Sequence, residues 1–229
     1  MSQTNLIEVE QNILKACKKC GRNRDEITLI AVSKTKPVSL LEEAYGAGVR
    51  NFGENKVQEM CEKYEVMEKD IRWHMIGHLQ RNKVKDVVPL ASMIQSLDST
   101  RLADEIEKQC AKINKVMPVL IEVNISQEIN KSGISTEELD SFIQYCLQKE
   151  HLDVQGLMCV GPLEGDDSDT ERCFQQMKQL FDQCKETYGE NHFQYLSMGM
   201  SDDYEIAIKH GSNMIRLGTI IFGKRDYSK

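Results

Sequence analysis

Eight short apolar runs, each closed by small or polar residues and most of them followed by an amphipathic stretch, divide the chain almost from end to end. They are Ile27–Lys34, Val49–Phe52, Arg72–Ile76, Met93–Leu97, Pro118–Val123, Val154–Val160, Phe193–Leu196 and Met214–Leu217. Runs this short and this rich in Val, Ile and Leu suit strands buried on both faces, and strands that alternate with helices lie parallel. Eight such units close on themselves. The spacing therefore predicts an α/β fold, a (β/α)8 TIM barrel, as a single domain over residues 1–229. An open doubly wound sheet would call for a glycine fingerprint after the first strand, and Ser33-Lys34-Thr35-Lys36 has none.

Ahead of the first strand, Leu6, Val9, Ile13 and Cys17 recur at helical spacing and Gly21 follows as a stop, which predicts an extra N-terminal helix. Capping patterns at Ser39–Glu42, Ser135–Glu138 and Ser168–Glu171 mark three further helix starts. The chain is 40% hydrophobic, enough for a large core, and its formal net charge of −7 argues against a nucleic-acid or anionic-membrane surface. No stretch reaches the apolar length of a membrane span, and the first twenty or so residues mix acidic with apolar positions, unlike a secretory signal. A cytoplasmic protein is expected. Its eight cysteines are scattered; Cys17-Lys-Lys-Cys20 has half-site spacing but no second pair, so free thiols are expected.

A barrel of this kind places its chemistry at the carboxyl ends of the strands, with phosphate often held after the seventh and eighth. Those ends offer Lys34, Asn55, His78, Asp98, Asn124, Ser201 and Gly218-Thr219. A lysine there is costly to desolvate, so it is paired, exposed at the rim, or held for chemistry. Strand eight closes against strand one, which brings Gly218-Thr219 beside Lys34. Ser201 is a candidate N-cap for a helix beginning at Asp202-Asp203, where backbone N–H groups favour an anion. Arg216 shares its strand face with Gly218 and needs an acceptor, either a carboxylate or a heteroaromatic nitrogen. His78 stands alone, without a nearby carboxylate or metal-ligand companion, and the run His78, Arg81, Lys83, Lys85 reads as a solvated helix face. There is no Walker loop, GxSxG elbow or HExxH pair.

Longer motifs sharpen this. LIAVSKTKP, FGENKVQE, WHMIGHLQRNK, LSMGMSDDYEIAI and IRLGTIIFGKRDY closely resemble the pyridoxal phosphate homeostasis protein family, itself similar to the N-terminal barrel domain of alanine racemase. The resemblance runs from the opening helix to the last residues and implies a barrel that carries pyridoxal 5′-phosphate (PLP). It implies a Schiff base between Lys34 and the cofactor aldehyde, with Arg216 facing the pyridine nitrogen. Ser201, Gly218 and Thr219 would hold the phosphate with backbone from Met200, Asn55 would lie beside the ring, and His78 near the mouth. Lys56 stands where relatives commonly carry an aromatic residue. Racemase-type enzymes take a second acid–base group, a tyrosine, from a C-terminal β domain of the partner subunit, and this sequence ends soon after its eighth strand. The expectation is a monomeric protein without turnover of its own, which buffers PLP or passes it to apo-enzymes. The alternatives are a racemase-type PLP enzyme using Lys34 and His78, and a cofactor-free Schiff-base aldolase using Lys34.

Overall fold

The computed structural model describes residues 2–224, with side chains from Asn5 onward. Its strands are β1 (Thr28–Val32), β2 (Asn51–Glu54), β3 (Arg72–Met75), β4 (Met93–Leu97), β5 (Met117–Glu122), β6 (Leu152–Met158), β7 (Tyr195–Ser197) and β8 (Met214–Leu217). They hydrogen-bond in chain order, all parallel, and β8 closes on β1 with Ile30 opposite Arg216 and Ala31 opposite Leu217. The helices are α1 (Ser2–Lys19), α2 (Val38–Gly46), α3 (Val57–Val66), α4 (Val84–Val87), α5 (Thr100–Lys112), α6 (Leu139–Leu147), α7 (Asp167–Tyr188), α8 (Tyr204–Lys209) and α9 (Thr219–Phe222). The expected barrel and its opening helix are both present.

Period two along the strands separates two cores. Ala31, Ile121, Leu157 and Ile215 join the large cluster between sheet and helices. Their neighbours Ile30, Leu120, Met158 and Met214, with Met93, form a second cluster inside the barrel. In α1, Leu6, Val9, Ile13 and Cys17 are all buried, as their spacing predicts, and the helix packs against α2, α8 and α9. Arg22 fastens the chain after α1 by donating to Ile208 O at 2.8 Å and Ser212 O at 2.7 Å. Arg24 forks onto both oxygens of Glu10 at 2.7 Å each.

Three helix starts differ from expectation. α2 begins one residue before Ser39, with Pro37 at the cap position, because proline's fixed φ suits the entry to a helix. α7 is capped by Asp166, whose carboxylate accepts from Asp169 N, so the helix is already under way at Ser168. Ser135 does accept from Glu138 N at 3.3 Å, but α6 itself starts at Leu139. β6 runs over Leu152–Met158 and not Val154–Val160. Its register against β5 slips between Val119 and Leu120, where Gly156 takes φ 153° and a Cβ would stand 1.8 Å from Tyr195 O. Only glycine fits that bulge.

All eight cysteines are free. Burial pushes the thiols of Cys146 and Cys159 up to about 12, which favours the protonated form of both. Among the described residues no helix is long and apolar enough to cross a membrane, and no cluster of His, Cys, Asp and Glu is arranged to hold a metal.

Candidate functional site

Lys34 follows β1 by two residues and continues the inward phase of Ile30 and Val32, so it leaves the barrel at its carboxyl mouth, half-buried. The ladder runs one residue past the strand, since Ser33 N donates to Gly53 O at 3.0 Å. Thr35 then turns the chain with φ 63°, the left-handed region that a β-branched residue rarely enters. Lys36 is committed elsewhere. Its Nζ donates to Gly223 O at 2.9 Å and Lys224 O at 3.2 Å, tying the Lys34 loop to the chain after α9.

Gly218 lies beside the same strand end. A Cβ on it would stand 3.1 Å from Val32 O and 3.3 Å from Val32 Cβ, so this turn approaches the base of Lys34 closely, and a side chain there would have to push Val32 back by a few tenths of an ångström. Its N–H reaches Ser201 Oγ at 3.4 Å, a long contact that links the loops after β7 and β8. Ser201 is not a helix cap. α8 begins at Tyr204 with Asp203 in the cap position, because Met200 O accepts both Asp203 N (3.1 Å) and Tyr204 N (2.9 Å) and folds residues 200–203 into a turn. The hydroxyl is thereby left to face Gly218. Met200 sits at the rim, and its N–H is already donated to Asp203 Oδ1 at 2.7 Å. Thr219 is exposed at the start of α9, Asn55 is half-buried after β2, and His78 is exposed.

Arg216 is 3% exposed and points inward from β8. Its hydrogen bonds go to neutral acceptors, Nη1 to Ser197 Oγ at 2.6 Å and Nη2 to Cys159 O at 2.9 Å, rather than to a carboxylate. Burial pushes its pKa down, while Glu122 and Asp203 oppose this at longer range. A guanidinium cannot shed its proton in a protein, so it remains a pure donor. The carboxyls of Glu122 and Asp203 are pushed up by burial; Ser132 Oγ, donating to Glu122 at 2.9 Å, and Met200 N, donating to Asp203, pull the other way.

Below Arg216 a hydrogen-bonded column crosses the barrel interior. Ser197 Oγ donates to Gln95 Oε1 at 2.7 Å, and Gln95 Nε2 lies 3.0 Å from His74 Nδ1. His74 Nε2 lies 3.0 Å from Asn51 Oδ1, which also accepts Arg72 Nε at 3.0 Å. An amide nitrogen only donates, so His74 Nδ1 accepts and the ring is the neutral Nε2–H tautomer. Burial, with the Arg72 guanidinium, accordingly pushes its pKa down to about 3. Below its unfolded value of about 6.5 the unfolded chain takes up a proton that the native chain refuses. This contribution, fully present above pH 6.5, is lost as the pH falls toward 3. Urea unfolding should find about 2 kcal/mol of stability lost from this group between pH 7 and pH 5, and His74→Gln should show a correspondingly flatter profile.

Strand ends alone point to His78; His74, Gln95, Ser197 and Glu122 do not stand out in the sequence, and Asp203 reads there only as the start of a helix. The available signal was phase: Glu122 stands two residues beyond inward-facing Leu120, and Gln95 two beyond Met93.

The barrel and its mouth define a racemase-type domain. Residues 4–226 match the family model described as alanine racemase, N-terminal domain. A pyridoxal phosphate homeostasis protein of Aquifex aeolicus is 40% identical over 223 residues, 97% of each chain. Another, from Haemophilus influenzae, is 42% identical over 229 residues, covering 99% of this chain and 97% of the relative. The chain belongs to the pyridoxal phosphate homeostasis protein family. Among solved structures, PipY of Synechococcus elongatus with PLP bound is similar at a TM-score of 0.84 and 28% identity, covering 97% of this chain and 100% of that one. Alanine racemase of Clostridium difficile shares the fold, at a TM-score of 0.75 and 14% identity, over 96% of this chain and 57% of its own.

Proposed function

We propose that this protein binds PLP at the carboxyl mouth of its barrel, tethered covalently through Lys34, and serves intracellular PLP homeostasis by buffering or delivering the cofactor without turnover of its own. The observation that carries the reading is that Lys34, two residues past β1, and Arg216 with Gly218, in and just past β8, stand at the carboxyl ends of two hydrogen-bonded neighbouring strands. One strand end supplies an amine and the other a donor for the ring together with a glycine turn packed closely against the base of Lys34. The names of relatives matching nearly end to end, and the PLP-bound PipY structure, support the same ligand.

The residues fit the group. Ser201 Oγ and the N–H groups of Gly218 and Thr219 are neutral donors suited to a phosphate. Lys34 supplies the amine, which attacks an aldehyde when it is neutral. Arg216, able only to donate, fits a ring nitrogen that carries no proton. Bound PLP supplies an electron sink whose strength falls when that nitrogen is unprotonated. Ser197, itself bonded to Gln95 and through it to His74, holds the Arg216 guanidinium in place. A barrel so built retains its ligand while doing little to stabilise a carbanion.

His78 is exposed and no hydrogen bond from the described residues orients it as a second acid–base group, and general acid–base work requires such a group within reach of the substrate proton. PLP-loaded protein assayed against a panel of amino acids should show no racemase, transaminase or decarboxylase turnover above free PLP. Robust turnover of any one of them would overturn the carrier reading.

A further inference from the structure

We infer that Glu54, Glu59 and Lys63 are positioning residues, a buried ionic clamp that fixes the backbone on both sides of Lys34 so that its amine is presented to the mouth. The inference rests on Lys34 being the tether. Glu54 closes β2 on the outward face and is fully buried. Its Oε1 accepts from Lys63 Nζ and from Ser33 Oγ, each at 2.6 Å. Lys63, in α3, also donates to Ser33 O at 2.7 Å and to Glu59 Oε2 at 3.1 Å. That same Glu59 oxygen accepts the Thr35 N–H at 2.8 Å. The hydroxyl and carbonyl of Ser33 and the N–H of Thr35 thus all end on three charged side chains. Lys34 is the residue between them.

Two costs argue that this is more than fold stability. A buried ion pair is matched or bettered in stability by apolar residues of the same volume, so its presence calls for another reason. Here Glu54 Oε2 is buried with no hydrogen-bond partner among the described residues, which adds to the expense. The second cost is Thr35, whose left-handed backbone is unfavourable by roughly 1–2 kcal/mol for an L-residue and survives only where surroundings over-determine it. The clamp supplies that over-determination. It lets the chain stay in ladder register through Ser33, project Lys34 inward, and turn away at Thr35. A fixed base shortens the amine's search for a bound aldehyde, the benefit of an oriented reactant.

The test separates positioning from general damage by using two backgrounds. In the Lys34 chain, Lys63→Met should slow the growth of near-visible absorbance on mixing apo-protein with PLP at least tenfold. In a Lys34→Ala chain, where PLP binds without a covalent bond, adding Lys63→Met should leave the affinity for PLP unchanged. Equal losses in both backgrounds, or wild-type capture in the first, would overturn the clamp. Should Lys63→Met fail to fold, Glu59→Ala removes the Thr35 contact from a half-buried position and carries the same expectation. If Lys34→Ala alone keeps the absorbance band, the tether reading fails and the clamp falls with it. Loss of the band there together with wild-type capture in Lys63→Met sinks the clamp alone.

Discussion

Replacing Lys34 with alanine is expected to abolish the near-visible absorption that PLP gains on covalent capture, and to weaken retention of the cofactor by roughly a hundredfold or more. Capture follows binding as an intramolecular step, so the bond converts modest affinity into long residence. Without it, Ser201, Gly218, Thr219 and Arg216 still offer donors, and weak reversible binding should persist in a fluorescence titration. The fold should be little disturbed, since Lys34 is half-buried at the mouth and the ladder below it ends at Ser33. Undiminished absorption in the variant would move the tether elsewhere. Lys36 is the nearest lysine in sequence, but its amine is held by the carbonyls of Gly223 and Lys224.

Arg216→Met should produce the second large effect, on affinity and stability together. A hydrogen bond from a charged donor is worth about 1.5–3 kcal/mol, so PLP affinity should fall roughly ten- to a hundredfold. The change also strips the donor from Ser197 Oγ and Cys159 O inside the barrel and leaves Glu122 and Asp203 facing a site without its cation. A loss of about 2 kcal/mol corresponds to a fall of roughly 4–8 °C in the thermal midpoint for a domain of this size. Both carboxyls should move further up, because Arg216 is one of the groups holding them down, and this can be read from their side-chain NMR titrations. An Arg216→Met protein that binds PLP with wild-type affinity would contradict the assignment of the guanidinium to the ring.

Much of the architecture was legible because it rests on short-range pattern. The eight apolar runs, the helical stripe through Leu6, Val9, Ile13 and Cys17, and the shared face of Arg216 and Gly218 follow from periods of 2 and 3.6 alone. The displaced elements were displaced for reasons that pattern cannot carry. Val49–Phe52 looked like the second strand because Gly53-Glu54-Asn55 looked like a polar turn. The strand instead ends at Glu54, whose charge is met by Lys63 from the following helix, and a buried ion pair disguises a strand end as a loop. β6 shifted toward its amino end around the bulge at Gly156, whose backbone geometry leaves no apolar signature.

Within the site, the amine, the guanidinium and the glycine turn could be read from strand ends, but the groups that orient them could not. Ser197 lies nineteen residues from Arg216, and Gln95 lies 102 from Ser197, so only barrel closure makes them neighbours. His74 and His78 look alike in sequence, four positions apart. One is locked as a neutral ring in the barrel interior and the other is exposed, a distinction set by strand phase and burial. The clamp behind Lys34 is hidden for the same reason, since Glu54 and Lys63 read separately as a turn residue and a helix-surface lysine.

The most direct measurement is borohydride reduction of the PLP-saturated protein followed by peptide mapping. Reduction adds hydrogen across the carbon–nitrogen double bond and fixes the cofactor where it was held. One pyridoxyl group per chain is expected, on Lys34, in protein that shows no amino-acid turnover before reduction. A group fixed chiefly on another lysine, or saturated protein that yields no adduct, would contradict it.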